Sequence, residues 1–420
     1  MLRFPTKPWR SLVAAAILGA FVSNGYAGAF QVWEESAAGT GDYHAGGAAE
    51  ADDASTEFYN PAGMTRLTQP QVSFGVAYIP LDVQFDGKIK GPGLAAGGSP
   101  TDGYIDGGTD NWVPNFHFVY PINEIVALGF GVTAPFGLKT DYPQVSPVEY
   151  AATLTKLYTI NYNPNIAFQI SQAFSMGVGF DALYGTANYN QAYILPTAHL
   201  NNDLSAWGYG WNMGVLYQFT PATRVGVSYR SKIVFNGTGT STETAGFGTP
   251  TSSNLKATLN LPATTTFSLY SDVTDRWAVL SSIYYTQWSV FQSINLQNLA
   301  GIPAFADVND VMNYKNSWNL VLGTHYKITK KWMLKWAIAW DQTPTQLGYR
   351  DIRLPDGDRY VLAAGAHWQI TERTGWDLGY AHFFTGIVNV DSTLSSAPTT
   401  ELGTAKNNTN VIGTQLTINL

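Results

Sequence analysis

The stretch WGYGWNMGVLYQF, residues 207–219, decides the fold class. On an extended chain Trp207, Tyr209, Trp211, Met213, Val215, Tyr217 and Phe219 fall on one side. Gly208, Gly210, Asn212, Gly214, Leu216 and Gln218 fall on the other. Strand side chains alternate with a period of two, so one face here is large and apolar and the other small or polar. WMLKWAIAWD, residues 332–341, repeats the division, with Trp332, Leu334, Trp336, Ile338 and Trp340 opposed to Lys335 and Asp341. A soluble sandwich would bury such a face under a second sheet. A membrane barrel turns it to lipid, gathers aromatics at the two interfaces and keeps small or polar residues inside.

The connections separate these cases. Short turns recur at Pro121–Glu124, Ser171–Ala173, Thr220–Ala222, Thr274–Asp275, Thr329–Lys331 and Thr371–Thr374. Between them lie long connections, roughly 82–111, 135–155, 190–205, 235–253, 291–315, 342–357 and 387–410. Strict alternation of short and long connections is the habit of outer-membrane barrels. The spacing predicts an all-β, 14-stranded antiparallel transmembrane barrel over residues 71–420. Its strands are expected at 71–81, 112–120, 125–134, 156–170, 174–189, 206–219, 223–234, 254–272, 276–290, 316–328, 332–341, 358–370, 375–386 and 411–420. Pro262 inside the eighth predicts a kink or bulge there, because proline cannot donate to a ladder.

The chain has 420 residues, 13% charged and 14% aromatic, and no cysteine. That excludes a disulfide scaffold and thiolate metal sites. Arg3, Lys7 and Arg10, an apolar run from Leu12 to Val22, and Gly25-Tyr26-Ala27 read as a secretory signal peptide, residues 1–27, cleaved after Ala27. The formal net charge is −7, and the signal segment holds three of the positive charges and no negative one. Such a chain has no basic footprint for nucleic acid. Eight strands enclose about enough room for side chains, and sixteen leave a water channel, so fourteen need a plug. Residues 28–70, which show no strand alternation, are expected to supply it.

At this point the residues resemble a known family. GAFQVWEESAAGTGDYHAGGAAEADDASTEFYNPAGM, residues 28–64, is similar to the N-terminal hatch of the FadL/TodX-type outer-membrane transporters of long-chain fatty acids and hydrophobic hydrocarbons. Phe30, the Ala51-Asp52-Asp53 run and Asn60-Pro61-Ala62 carry the resemblance, which continues in residues 259–270 and in residues 340–370 with Pro355, Asp356 and Arg359. It implies passive uptake without cofactor, metal or catalysis: capture by external loops, binding beside the hatch, and lateral release where the third strand kinks. It also implies a monomer in a Gram-negative outer membrane, both mature termini periplasmic, in contact with lipopolysaccharide and inserted by the barrel-assembly machinery.

Site residues follow from the resemblance and from alternation. Phe30 is expected against the substrate, and Tyr193, Ile194 and Leu195 of the third external loop as an exposed capture patch. Asn60, Pro61 and Ala62 would turn the hatch near the wall gap, with Gly129 and Gly131 as break points of the third strand. Asp52 and Asp53 would meet lumen cations, and alternation offers Arg224, Arg230 and Lys232 on strand seven with Lys256 and Lys335 beyond. The fifth strand lacks the cations that fatty-acid transporters of this type place there, so Arg230, Lys232 or Lys315 would read a carboxylate, or the substrate is a neutral alkane or aromatic. A porin would need an open lumen. For an enzyme, no G-x-S-x-G elbow occurs, and His325 and His367 point inward without an acid partner evident in sequence.

Overall fold

The computed structural model describes residues 28–420 apart from 91–100, Ile194, 245–250, 302, 304–305 and 395–398. The expected signal peptide therefore lies outside the described residues. Fourteen antiparallel strands close into a barrel. They are β1 (Gln71–Lys90), β2 (Thr101–Asp106 and Asp110–Pro121), β3 (Val126–Thr133 and Gly137–Asp141), β4 (Leu154–Gln169), β5 (Phe174–Tyr189), β6 (Leu195–Gln218) and β7 (Thr223–Arg230 and Ile233–Thr244). The second half comprises β8 (Thr251–Leu261 and Thr264–Asp272), β9 (Trp277–Thr286 and Ser293–Gln297), β10 (Val308–Val311 and Ser317–Lys327), β11 (Trp332–Asp341), β12 (Arg359–Gln369), β13 (Thr374–Thr385 and Val388–Leu394) and β14 (Thr399–Asn419). β1 pairs with β14 from Gln71↔Asn419 to Lys90↔Thr400, which closes the wall.

Turns and outward faces agree with the alternation read from sequence. Trp207, Tyr209 and Trp211 are about half exposed, and Gly208, Gly210 and Asn212 are buried. Trp112, Trp318 and Tyr360 stand outward towards the long-loop end, and Tyr120, Phe219, Trp277 and Trp332 towards the short-turn end. Several expected long connections are instead strand: β1, β6 and β14 run 20, 24 and 21 residues. A tilted strand needs only about ten to cross the bilayer. Beyond that level neither face meets lipid, so the outward residues turn polar and the outward apolar face that marks a membrane strand in sequence disappears, although Val83, Phe85 and Ile89 of β1 still alternate inward.

The N-terminal residues occupy the lumen. Residues 29–49 are almost wholly buried, and the segment forms 3₁₀ turns at Ala38–Asp42 and Pro61–Arg66 and one helical turn at Thr56–Tyr59 rather than strands. They pack on small residues of the wall. A Cβ placed on Gly41 would lie 2.8 Å from the Gly365 Cα, which only two facing glycines allow. The apolar core between segment and wall includes Val32, Tyr43, Ile79, Leu280 and Phe383.

Two places in the wall depart from a regular ladder. β3 breaks at Ala134–Phe136: its first half pairs with β2 and β4, its second half with β4 alone. β7 and β8 break together at Ser231-Lys232 and Pro262-Ala263, as Pro262 suggests. Each then presents its other set of residues to the lumen. Arg224 is buried below the β7 break, while Ile233 and Phe235 are buried above it.

Leu322 sits halfway along the Ser317–Lys327 part of β10 and is 53% exposed on the outer face. Leu322→Arg should destabilise the barrel by roughly 2–4 kcal/mol, the cost of a cation near the bilayer midplane. Urea unfolding from lipid vesicles measures this, and Leu322→Ala controls for lost packing.

Candidate functional site

The start of the lumen segment is tied to one acidic and basic cluster. The Gly28 amide donates to Asp341 Oδ2 at 3.2 Å, and the Ala29 amide to Asp356 Oδ2 at 3.0 Å. Arg359 holds Asp341 at 2.6 Å and stands 3.9 Å from Asp356. Thr343 Oγ1 donates to Asp356 at 2.5 Å. The Asp-x-x-Arg spacing thus serves as an anchor, with two carboxylates to receive consecutive amides and one guanidinium to hold them. Charge-assisted bonds of this kind are about twice as strong as neutral ones.

That anchor fixes Phe30 in an aromatic cage. Its ring lies 4.6 Å from Trp288, 5.3 Å from Phe291 and 6.3 Å from Phe136, mostly edge to face. Beside it opens a mainly apolar cavity of about 110 Å³, lined by Leu157, Leu204, Leu259, Met312, Tyr314 and others. Trp288 lies in a short 3₁₀ turn that interrupts β9, and Phe136 in the β3 break. Irregular backbone is what lets these rings point at one spot. Alternation alone would have missed Trp288, Phe291 and Phe136.

The β3 break leans on the same segment. The Val32 amide donates to Pro135 O at 3.0 Å, and the Gly137 amide to Phe30 O at 2.9 Å. On the other side, β2 residues 110–115 have no ladder partner on β3, since pairing begins at Phe116↔Val132. The break thus falls at Ala134–Phe136 and not at Gly129 or Gly131, which keep regular partners on β2 and β4. The two glycines make room instead. A Cβ on Gly131 would fall 1.9 Å from Glu57 Oε1, and one on Gly129 would fall 2.3 Å from Met64 Sδ. Glu57, fully buried, lies 2.8 Å from His117 Nδ1 and accepts from Asn165 Nδ2 at 2.5 Å.

Asn60, Pro61 and Ala62 are all buried, but under another part of the wall. Asn60 Nδ2 donates to Ala48 O at 2.6 Å and to Val215 O at 3.0 Å, and Oδ1 accepts the Ala62 amide at 3.1 Å. Pro61 then begins a 3₁₀ turn. The turn seats on Gly177 of β5 and Gly214 of β6, where added Cβ atoms would come within 2.6 Å of Pro61 and 2.0 Å of Asn60. It therefore lies beneath β5–β7, and Pro61 also lines a space of about 60 Å³ that Pro135 and Phe136 of the β3 break border.

The remaining expected site residues scatter. Arg230 pairs with Asp181, donates to Phe58 O at 2.9 Å and stacks over the Phe58 ring. Lys232 is exposed, because the β7 break reverses the alternation that would have turned it inward, and Lys256 is exposed for the same reason on β8. Lys315 is exposed, while Met312 and Tyr314 line the cavity. Asp53 is satisfied by Ser55 and by Gln415 Nε2 at 2.7 Å, and Asp52 lines a polar space at the short-turn end. The lumen cation meets other acids: Lys335 lies 3.5 Å from Asp377 and 3.9 Å from Asp42. His325 and His367 do find acid partners, Asp42 at 2.7 Å and Asp377 at 3.0 Å. Tyr193 and Leu200 are buried in a cluster with Leu255 and Leu296, so the expected exposed patch packs on its own loops. Ile194 and the side chain of Leu195 lie outside the described residues.

One cation that alternation could not have found lines the Phe30 cavity. Arg350, in the β11–β12 connection, gives its hydrogen bonds to neutral oxygens, Thr345 Oγ1 at 3.1 Å and Asn389 O at 3.0 Å. Nearby Arg353 is engaged by Gln191 Oε1 at 2.9 Å and by the Tyr189 ring.

A profile of the family described as outer membrane protein transport protein (OMPP1/FadL/TodX) matches residues 19–420. A long-chain fatty acid transport protein of Salmonella typhi is 32% identical over 412 residues, covering 88% of this chain and 90% of that protein. Outer membrane protein P1 of Haemophilus influenzae is 32% identical over 416 residues, covering 89% of each. The crystal structure of a Pseudomonas aeruginosa FadL homologue has a TM-score of 0.83 at 23% identity, covering 93% of this chain and 99% of that one. The Ralstonia pickettii toluene transporter TbuX has a TM-score of 0.68 at 17% identity, covering 91% and 98%.

Glu34, three residues past the Phe136 bridge partner Gln31, is fully buried, and burial lifts its carboxyl from the usual 4.5 to about 7. The Trp33 amide at 3.0 Å and Arg359 oppose the rise without cancelling it. In the folded state the acid keeps a proton that the undocked chain releases near 4.5. Its contribution is therefore full below about 4.5 and is lost as pH rises to about 7, on the order of 3 kcal/mol. Amide exchange protection of residues 28–40 should fall over that interval, and Glu34→Gln should flatten the fall. A profile unchanged by the substitution would assign it to another group.

Proposed function

Since the chain belongs to the OMPP1/FadL/TodX family and serves outer-membrane uptake of hydrophobic substrates, we propose that its substrates are long-chain fatty acids bound in the Phe30 cavity, with the carboxylate at Arg350. One observation carries this reading: Arg350 borders a mainly apolar cavity, at whose charged rim Lys156, Asp351 and Arg353 also stand, while its hydrogen bonds go to neutral oxygens. Arg230, Arg353, Arg359 and Lys335 already face carboxylates of the protein. A guanidinium suits this task because it receives a carboxylate bidentately and is weakly hydrated. The alkyl chain contributes about 25 cal/mol for each Å² it removes from water.

The proposed route is passive. The long loops face outward and the short turns and both mature termini face the periplasm. Substrate enters among the loops, rests beside Phe30 and leaves laterally at the β3 break, where β2 residues 110–115 lack a ladder partner on β3. Residues 28–70 act as the hatch, so polar solutes gain no open channel and no catalytic step is needed. The β1–β14 ladder closes the wall and leaves no free edge for pairing, in keeping with a monomer. The barrel-assembly machinery inserts it, and lipopolysaccharide surrounds the outer aromatic belt. The aromatic cage favours a second reading, uptake of neutral alkanes or aromatic hydrocarbons by the same path.

Equilibrium binding of oleate, a long alkane and an aromatic hydrocarbon to the purified barrel, at pH 5 and 8, separates the two. Oleate should bind more tightly at pH 8, where it is ionised, and Arg350→Ala should weaken it by about tenfold, near 1.4 kcal/mol, while Lys315→Ala leaves it unchanged. Neutral ligands binding alike at both pH values, with oleate indifferent to Arg350, would favour the hydrocarbon reading. Asn60→Ala combined with Pro61→Ala removes two anchors of the hatch. The variant should insert normally yet lose most oleate uptake in cells, and full uptake would detach this turn from the mechanism.

A further inference from the structure

β6 and β7 are paired below and above a gap. Asn212–Gln218 pair with Arg224–Arg230, and His199–Ser205 pair with Thr238–Thr244. Between these ladders, residues 206–211 stand opposite residues 231–237, so β7 carries one residue more. Among the described residues, bonds accompany the ladders at the lower lip of the gap, where Ser231 N donates to Trp211 O and Trp211 N donates to Ser231 Oγ, both at 2.9 Å. The extra residue has a cause. β7 changes faces at Ser231-Lys232 and β6 does not, because Leu204, Gly208, Gly210 and Asn212 keep to the lumen throughout. Two strands of which one alone reverses cannot keep a common register, and a bulge is the ordinary result.

What fills the gap is apolar and side-chain only. Ile233 and Phe235, both buried, lie across Gly208 and Gly210, where added Cβ atoms would come within 2.5 Å and 2.8 Å of Ile233. The Phe235 ring also rests 3.0 Å from the position of a Cβ on Gly185 of β5. Behind the ring is an apolar space of about 50 Å³ touching Ala206 and Phe235. Leu157, Ala187, Leu204, Ala257 and Leu259 line both that space and the Phe30 cavity. An alkyl chain in the cavity therefore has continuous apolar lining up to the Phe235 ring. On the outer side of the seam stand Trp207, Tyr209 and Val234, with Lys232 exposed among them, the mixture of an interfacial belt.

We propose that the β6–β7 seam is a second lateral portal, through which alkyl chains exchange between the Phe30 cavity and the outer membrane interface when Phe235 swings aside. Above the Ser231–Trp211 bonds no ladder pair needs to break, since the ladder is already absent over this stretch. An acyl chain passing the seam would bring its carboxylate beside Lys232. The portal rests on the uptake of hydrophobic substrates through this cavity, and the experiment reads the two separately.

The chain has no cysteine, so Trp207→Cys with Asn236→Cys, opposite each other in the register above the seam, gives a single reversible staple. The measurement is transfer of a pyrene-labelled fatty acid from reconstituted barrel to vesicle lipid, with equilibrium binding of the same probe measured alongside. The oxidised pair should slow transfer several-fold with binding retained, and reductant should restore it. An unstapled protein that binds no probe would fail the cavity reading. A bound probe that leaves the oxidised protein as fast as it leaves the reductant-treated protein would overturn the portal. Photolabelling of the unmodified protein with a diazirine-bearing alkane needs no staple. Label on Ala206, Val234 or Phe235 supports the portal, and label confined to the Phe30 cavity and the β3 break rejects it.

Discussion

A fourteen-strand wall encloses more room than its own side chains fill, and the remainder of the molecule answers that constraint. The lumen segment fills the space by approaching the wall more closely than side chains would permit. Gly41 faces Gly365, Asn60 meets Gly214, and Glu57 occupies the place a side chain at Gly131 would take. Glycine usually weakens a strand, and here the loss is offset by backbone and buried polar groups that the segment supplies. The wall and its filling are each incomplete alone.

Polar groups inside this shell are paired locally. Glu57 has His117 and Asn165, Asp42 has His325, and Asp341 has Arg359 and the Gly28 amide. Breaking such a buried pair by removing one partner is costly, so these clusters fix the segment in one orientation. The cavity beside Phe30 lies above them, where the breaks in β3, β7, β8 and β9 turn aromatic and aliphatic residues together. Regular wall below and irregular wall above divide the labour between holding and admitting.

The fold was largely legible because lipid imposes one demand on every strand at one level. Trp207–Phe219 and Trp332–Asp341 show it in full, and the short turns fall where the alternation stops. Strand lengths were less legible, since Asp82–Lys90 and Thr399–Asn410 stand beyond the lipid and their outward faces are mostly polar, though Val83, Phe85 and Ile89 still alternate inward. Inward cations were misplaced wherever the chain changes faces: Lys232 and Lys256 follow the alternation only if β7 and β8 run unbroken. Pro262 was the visible sign, but its effect on the partner strand was not. Phe30 and the Asp356-x-x-Arg359 motif were picked out through resemblance. Arg350 lies in an irregular connection, where no period exists to assign a direction.

The anchor of Gly28 has a consequence for the order of assembly. Its carboxylate partner is 313 residues away, and Gly365, Gly379 and Gly413, on which the same segment packs, come later still. The earliest residues of the mature segment thus have no docking surface until the last three strands are in place. Closing so long a loop is entropically slow. The lumen segment therefore cannot take its final place before β11 to β14 have formed. Its many glycines and alanines, and the absence of a long apolar run, suit a segment that spends that interval exposed.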